Sequence, residues 1–194
     1  MWKEVDRAKV HRLFYPQVPI VVTAEFDGRI GGMPAIWCMP LSFTPPVVGV
    51  AVSPDHETHR IIVEARAFGM NWLNFLYAGK VGSLGETSGK DFANKLSAVG
   101  FTVVKGEKTT QPLIREASGV LECRLFEQHR TGTHELLIGE VLAASAHESF
   151  NDCSDFSEYN PMLYAGTVNG KSKSWIIMSP RGETVQIPLS KHQT

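Results

Sequence analysis

The chain is expected to be mainly β, an antiparallel barrel with a few short covering helices. Three observations predict this. The apolar runs are short and rich in β-branched residues, as in Val18 to Glu25 and Val47 to Val52. Two long strand-like runs, Gly119 to His129 and His134 to His147, flank Arg130-Thr131-Gly132-Thr133, which has the chemistry of a hairpin turn. Helical periodicity is confined to short, scattered segments, too little to form a helical layer.

The elements follow in order. Val5 to Phe14 reads as a short helix with Val5, Val10, Leu13 and Phe14 toward the core, ended by Tyr15-Pro16. Val18 to Glu25 is a strand, and Phe26-Asp27-Gly28-Arg29 is a turn. Met33 to Met39 and Val47 to Val52 are strands. Thr58 to Ala65 carries Ile61, Ile62 and Ala65 at helical spacing, and Phe68 to Leu73 returns to strand. Gly79, Gly82, Gly85 and Gly89 are expected in one loop, before an amphipathic helix from Lys90 to Val99 that Gly100 ends. Phe101 to Val104, Met162 to Val168 and Trp175 to Met178 complete the strands. With no repeat and no compositional boundary, residues 1–194 are expected to form a single domain.

Nineteen basic and twenty acidic residues leave the chain near neutrality, which argues against nucleic acid or an anionic membrane as the main partner. No apolar run approaches the ~20 residues of a membrane span. The charged start Met1-Trp2-Lys3-Glu4 lacks the apolar centre of a signal peptide, so a cytoplasmic location is expected. Cys38, Cys123 and Cys153 are far apart and odd in number, which suits reduced thiols, and no Cys/His cluster has zinc spacing. Other chemistries fail on spacing. Gly82 to Asp91 looks like a phosphate loop, but only three residues separate Gly85 from Gly89, and Asp91 stands where Ser or Thr is required. His56-Glu57-Thr58-His59 cannot place two metal ligands on one helical face. Neither a nucleophile elbow nor a dinucleotide glycine fingerprint occurs.

The most informative stretch is Ser42-Phe43-Thr44-Pro45-Pro46 followed by Val47 to Val52 and the turn 53–58. Two prolines fix two φ angles and remove two N–H donors, so they suit a rigid, extended loop and not the middle of a sheet or helix. Strand, stiff loop, strand and a Thr58-headed helix frame a space for a ring with a phosphate tail.

This order of residues resembles the flavin reductase-like family. The likeness runs from Pro16 to about Tyr164 and rests on Trp37, Pro40, Ser42 to Pro46, Val47 to Val52 and Thr58. It continues through Phe68-Gly69-Met70-Asn71, Ser88-Gly89-Lys90-Asp91 with Lys95, Gly119 to Cys123, and Gly132-Thr133-His134 followed by Ile138-Gly139-Glu140-Val141. The resemblance implies a Greek-key split β-barrel that binds FMN tightly, a homodimer, and NAD(P)H as a transient hydride donor. Electrons would leave to free flavin, ferric iron or a partner protein. A flavoredoxin-like electron carrier without useful NAD(P)H activity is the alternative, as is a dimeric split barrel that binds without redox chemistry.

The resemblance also implies site residues. Thr58 would contact the phosphate through its hydroxyl and the free N–H groups at the helix start, although a plain N-cap gives the same sequence. Lys95 would reach the cofactor, with Lys90 as competitor and a solvated helix lysine as the plain alternative. His134 would lie beside the flavin ring, where a neutral imidazole donates to a ring carbonyl and a protonated one offsets negative charge on the reduced ring. A histidine at a strand end could equally be a surface residue. Trp37 would pack on the ring or serve the core or an interface. Ala35, Cys38, Met39, Ser42 and Phe43 would supply walls, Ser53 and His56 further phosphate contacts, and Tyr164 an aromatic near the flavin. Many members carry an Asn five or six residues before the Trp. Gly31 and Gly32 stand there, so that contact is lost or passes to the backbone.

Overall fold

The computed structural model describes residues 1–151, 154–168 and 174–188. Seven antiparallel strands form one sheet in the order β2-β1-β5-β8-β9-β4-β3. They are β1 (Ile20–Phe26), β2 (Arg29–Ala35), β3 (Cys38–Phe43), β4 (Pro46–Val52), β5 (Ala67–Trp72), β8 (Gly119–Thr131) and β9 (His134–Ala146). The two edge strands, β2 and β3, are separated in the chain by Ile36-Trp37 alone, so the sheet curls until its ends meet there, and Ala51 N–H donating to the Trp37 carbonyl at 2.8 Å extends the β3–β4 ladder to that point. This is the split-barrel arrangement, mostly strand with few helices.

The core has two compartments. Inside the barrel, Val22, Val50, Phe68, Met70 and Leu137 pack together, closed at one side by Ile61 and Ile62 of helix α1 (Glu57–Ala65). On the other face of β1, Val21 packs with Leu73, Leu84, Leu96, Phe101 and Ile177. Strand β1 is therefore buried on both faces from Ile20 to Ala24, which explains a β-branched run without polar alternation. The outer compartment is covered by α2 (Ala78–Glu86), the single-turn α3 (Lys95–Ala98), the pair β6 (Val103–Lys105) and β7 (Pro112–Ile114), and a three-stranded sheet of β10 (Leu163–Val168), β11 (Ser174–Met178) and β12 (Thr184–Pro188).

Several expectations are corrected. The N-terminal segment is a 3-10 helix, Arg7–Phe14, with no buried residue, so Val5, Val10, Leu13 and Phe14 are exposed. The segment is held instead by Arg12, which donates to the Thr167 hydroxyl at 3.4 Å, and by the His11 and Tyr15 rings against Trp37 and Tyr164, which leaves the face bearing Val10, Leu13 and Phe14 outward. The run 33–39 is two strands broken at Ile36-Trp37, where the chain crosses the join. Thr44-Pro45 is a tight two-residue turn between β3 and β4, with a cis peptide, and Pro46 already begins β4. The prolines thus make a hairpin, where their missing donors cost no ladder bond, and not an extended loop.

Gly79, Gly82 and Gly85 lie in helix α2, and Gly89 alone is in the turn that follows. A Cβ at Gly82 would overlap Ile187 of β12 at 1.7 Å, so this glycine is the condition for helix and strand to touch. The ~1 kcal/mol each glycine costs a helix is offset by that close packing. Residues 90–94 are not helical, because Ile30 N–H donates to the Ala93 carbonyl and holds the segment against β2; the helix begins only after Asn94, whose side chain accepts from Ser97 N–H. β7 and β12 were not expected from the sequence. Cys153 lies outside the described residues; Cys38 and Cys123 are free thiols.

Candidate functional site

A cavity of about 500 Å³ opens between the barrel and its outer cover. Its apolar side is built by Pro34 and Ile36 at the end of β2, Val81 of α2, Tyr164 of β10 and Ile177 of β11. Its polar end is built by His56, Glu57 and Thr58 at the start of α1, by 87–90 after α2, and by Lys95. A smaller pocket of about 170 Å³ adjoins it, sharing Pro34, Ile36 and His56 and adding Trp37, Ser53 and His134.

The polar end is positioned from several directions. The turn Ser53 to His56 is closed by His56 N–H donating to the Ser53 carbonyl, and His56 caps α1 with its backbone only. Thr58 is therefore the second helical residue and not the N-cap. It is 2% exposed and packs under Gly31, where an added Cβ would come within 3.2 Å of the Thr58 hydroxyl and 2.9 Å of Ile61. Gly32 is likewise closed by Leu96. The missing asparagine is thus the means by which β2 approaches both helices. Arg29 donates to the Gly89 carbonyl at 3.1 Å and holds the segment after α2. Glu57, an acid at an anion-friendly helix start, is neutralised by Arg60 at 2.7 Å and Arg29 at 3.6 Å.

Lys95 is 5% exposed, and among the described residues its ammonium has no hydrogen-bond or ion-pair partner. Burial pulls its pKa down to about 8. A lysine is rarely left buried without a counter-charge. His56 is held below the ordinary histidine value first by burial, then by the charges of Lys95 and His134, with Asp55 opposing. Burial also lowers His134, and its Nδ1 lies 3.0 Å from the Thr133 hydroxyl. The His134 ring is tilted against Trp37, centroids 4.6 Å apart. Tyr164 is pushed up to about 12 by burial, and its ring meets Tyr15 edge-on at 5.1 Å.

Of the residues expected from the sequence, His56, Thr58, Lys95 and Tyr164 line the main cavity, and Trp37, Ser53 and His134 line the adjoining pocket. Of the expected wall residues, Ala35 also lines the adjoining pocket, and the others lie elsewhere. Cys38 and Met39 face a separate groove with Ile20, Val48 and Met70. Ser42 lies outside both pockets, and Phe43 is 95% exposed at the tip of the β3–β4 hairpin. Sequence reasoning missed Pro34, Ile36, Asp55, Thr87 and Ser88. The last two belong to the stretch that fails as a nucleotide-triphosphate loop; its first half is helix, and its second half borders Lys95.

Fold and cavity together define a split barrel with a cavity whose polar end joins the start of α1 to Lys95. Residues 11–182 match the family described as flavin reductase like domain, and the chain belongs to that family. It is 35% identical to an uncharacterised protein of Aeropyrum pernix over 93% of this chain and 69% of that one. It is 30% identical to an NADH-dependent FAD reductase of Streptomyces globisporus, over 72% and 76% of the two chains. A crystal structure of an FMN-binding protein from Thermus thermophilus with bound p-hydroxybenzaldehyde superimposes with a TM-score of 0.72 and 25% identity, covering 98% and 97%.

Proposed function

We propose that residues 1–194 form one flavin-binding unit that holds FMN and works as an NAD(P)H-dependent reductase. The carrying observation is Lys95, a buried cation without a partner among the described residues, facing a cavity beside Thr58 and the start of α1. That donor set fits a phosphate dianion. Thr58 offers a hydroxyl, α1 its first N–H groups, and Lys95 a charge that burial has left uncompensated. The apolar walls and the volume suit a flat heterocycle. FMN, when bound, supplies the hydride and electron chemistry itself.

The chain's own residues then bind, orient and shield. Tyr164, Pro34 and Ile36 exclude water from the ring. His134 presents its Nε2 as the nitrogen not engaged by Thr133, and a neutral imidazole there donates one hydrogen bond. No side chain is required to act as acid or base.

A homodimer fits the exposed apolar residues of edge strand β3, Met39, Leu41 and Phe43, which a second copy would cover. The free thiols fit a reducing cytoplasm. Electrons would pass to free flavin, ferric iron or a partner protein.

The test is direct. Purified protein is expected to be yellow, or to quench added FMN fluorescence, and to oxidise NADH or NADPH when FMN is present. A protein that neither holds nor quenches FMN overturns the flavin reading. Bound FMN that neither nucleotide reduces overturns the reductase reading and leaves an electron carrier. Light scattering on a sizing column reads the dimer.

A further inference from the structure

One shielded hydrogen-bonded pair stands beside the cavity and belongs to none of its walls. His59, in the first turn of α1, places Nε2 2.5 Å from Glu135 Oε2 at the start of β9. Their side chains are 10% and 17% exposed. Among the described residues this is the one polar side-chain link between α1 and β9. Helix α1 is otherwise seated through Thr58, Ile61 and Ile62, toward β1 and β2.

The neighbours of the pair give it meaning. His59 follows His56 by three residues on the same helix, and Glu135 directly follows His134. The backbone of Glu135 is fixed by register with Val52 on β4 and Arg130 on β8. One end of the pair is therefore anchored in the sheet, and the other holds the beginning of α1. His56 borders both the cavity and the adjoining pocket, and His134 borders the pocket.

We propose that His59 and Glu135 are positioning residues, a strut that sets the separation of His56 from His134 and so the spacing between the phosphate end and the ring end of the site. The proposal rests on the flavin reading. Neither residue is placed in contact with a bound flavin. Without the strut, α1 keeps its hydrophobic seat but its first turn is free to drift from β9.

The test uses His59→Gln and Glu135→Gln, singly and together, in the full chain. Two quantities are read: FMN affinity by fluorescence titration, and the ring titrations of His56 and His134 by NMR in the flavin-free protein. His56 faces Lys95, His134, Asp55 and His59. With α1 drawn away from β9, His134 recedes from His56, and the His56 titration is expected to move up toward the ordinary histidine value. Each single variant is expected to weaken FMN binding roughly ten-fold. The double variant is expected to be no worse than either single, because both act through one contact. Unmoved histidine titrations overturn the strut whatever the melting temperature does, and so do moved titrations with FMN affinity within two-fold of wild type. His59→Gln serves alone if Glu135→Gln does not fold. Should the wild type bind no FMN, the flavin reading fails, and the histidine titrations still decide the strut.

Discussion

Trp37 and His134 are 97 residues apart in the chain, yet their rings meet with centroids 4.6 Å apart and planes inclined by 49°. The contact sits where the curled sheet closes, between the break after β2 and the first residue of β9. It places an imidazole, held at Nδ1 by Thr133, beside a tryptophan at the edge of the smaller pocket.

From this follows the expected behaviour of His134→Ala. Burial depresses the pKa of His134, so the imidazole is neutral at pH 7 and gains its proton below the ordinary histidine value. The wild-type rate of flavin reduction by NADH should show an inflection there, and the variant should lack it. Because the residue is partly exposed, unfolding in urea should change by less than ~1 kcal/mol. A large loss of stability with an unaltered pH profile would make His134 structural.

Lys95→Met should separate stability from binding. The folded protein releases the Lys95 proton near pH 8, whereas an unfolded lysine keeps it to about 10.5. Between those values the unfolded chain holds more protons, so stability rises with pH across the window. Below pH 8 the whole penalty is present, on the order of 3 kcal/mol at 1.36 kcal/mol per unit. The variant should melt higher than wild type at pH 7, show no rise from pH 8 to 10.5, and bind FMN at least ten-fold more weakly.

Thr58→Val keeps the shape and removes the hydroxyl. Since Thr58 is not the helix cap, the flavin-free protein should melt within ~0.5 kcal/mol of wild type. FMN affinity should fall about ten-fold, or ~1–2 kcal/mol. Unchanged affinity would leave Thr58 as a packing residue.

Gly31→Asn supplies the asparagine that the family resemblance leads one to expect at this point of the chain. Here a Cβ would press on Ile61 at 2.9 Å and on Thr58, forcing β2 and α1 apart. A loss of ~1–3 kcal/mol in denaturant unfolding is expected, with weaker FMN binding in place of a gain. Improved affinity at unchanged stability would show that the helix can yield.

The barrel strands were legible because β-branched runs and hairpin turns are local signals, and the 131–134 turn falls where Gly132 takes φ +80°. Helix α2 was hidden because its glycines signal a loop, while Ile187, which requires Gly82, lies over a hundred residues away. The three-residue β7 and the proline-flanked β12 are too short to show periodicity. Motif order brings His56, Thr58, Lys95 and His134 forward, and the fold places the first three on one cavity and His134 on the pocket beside it. Phe43 and Ser42 were not separable from the cavity residues, since the same motif encodes a hairpin that projects outward. The His59–Glu135 link spans 76 positions and leaves no mark in the sequence.

The seat of α2 on Ile187 ties the far C-terminal strand to the main cavity, because α2 carries Val81 and Gly85 on its wall. A shortened expression product that stops near residue 182, where the family match ends, would keep every residue assigned to the ligand and still lose the cavity's outer support. Engineers who graft affinity handles or fuse electron donors to this protein would do better to leave the strand 184–188 intact.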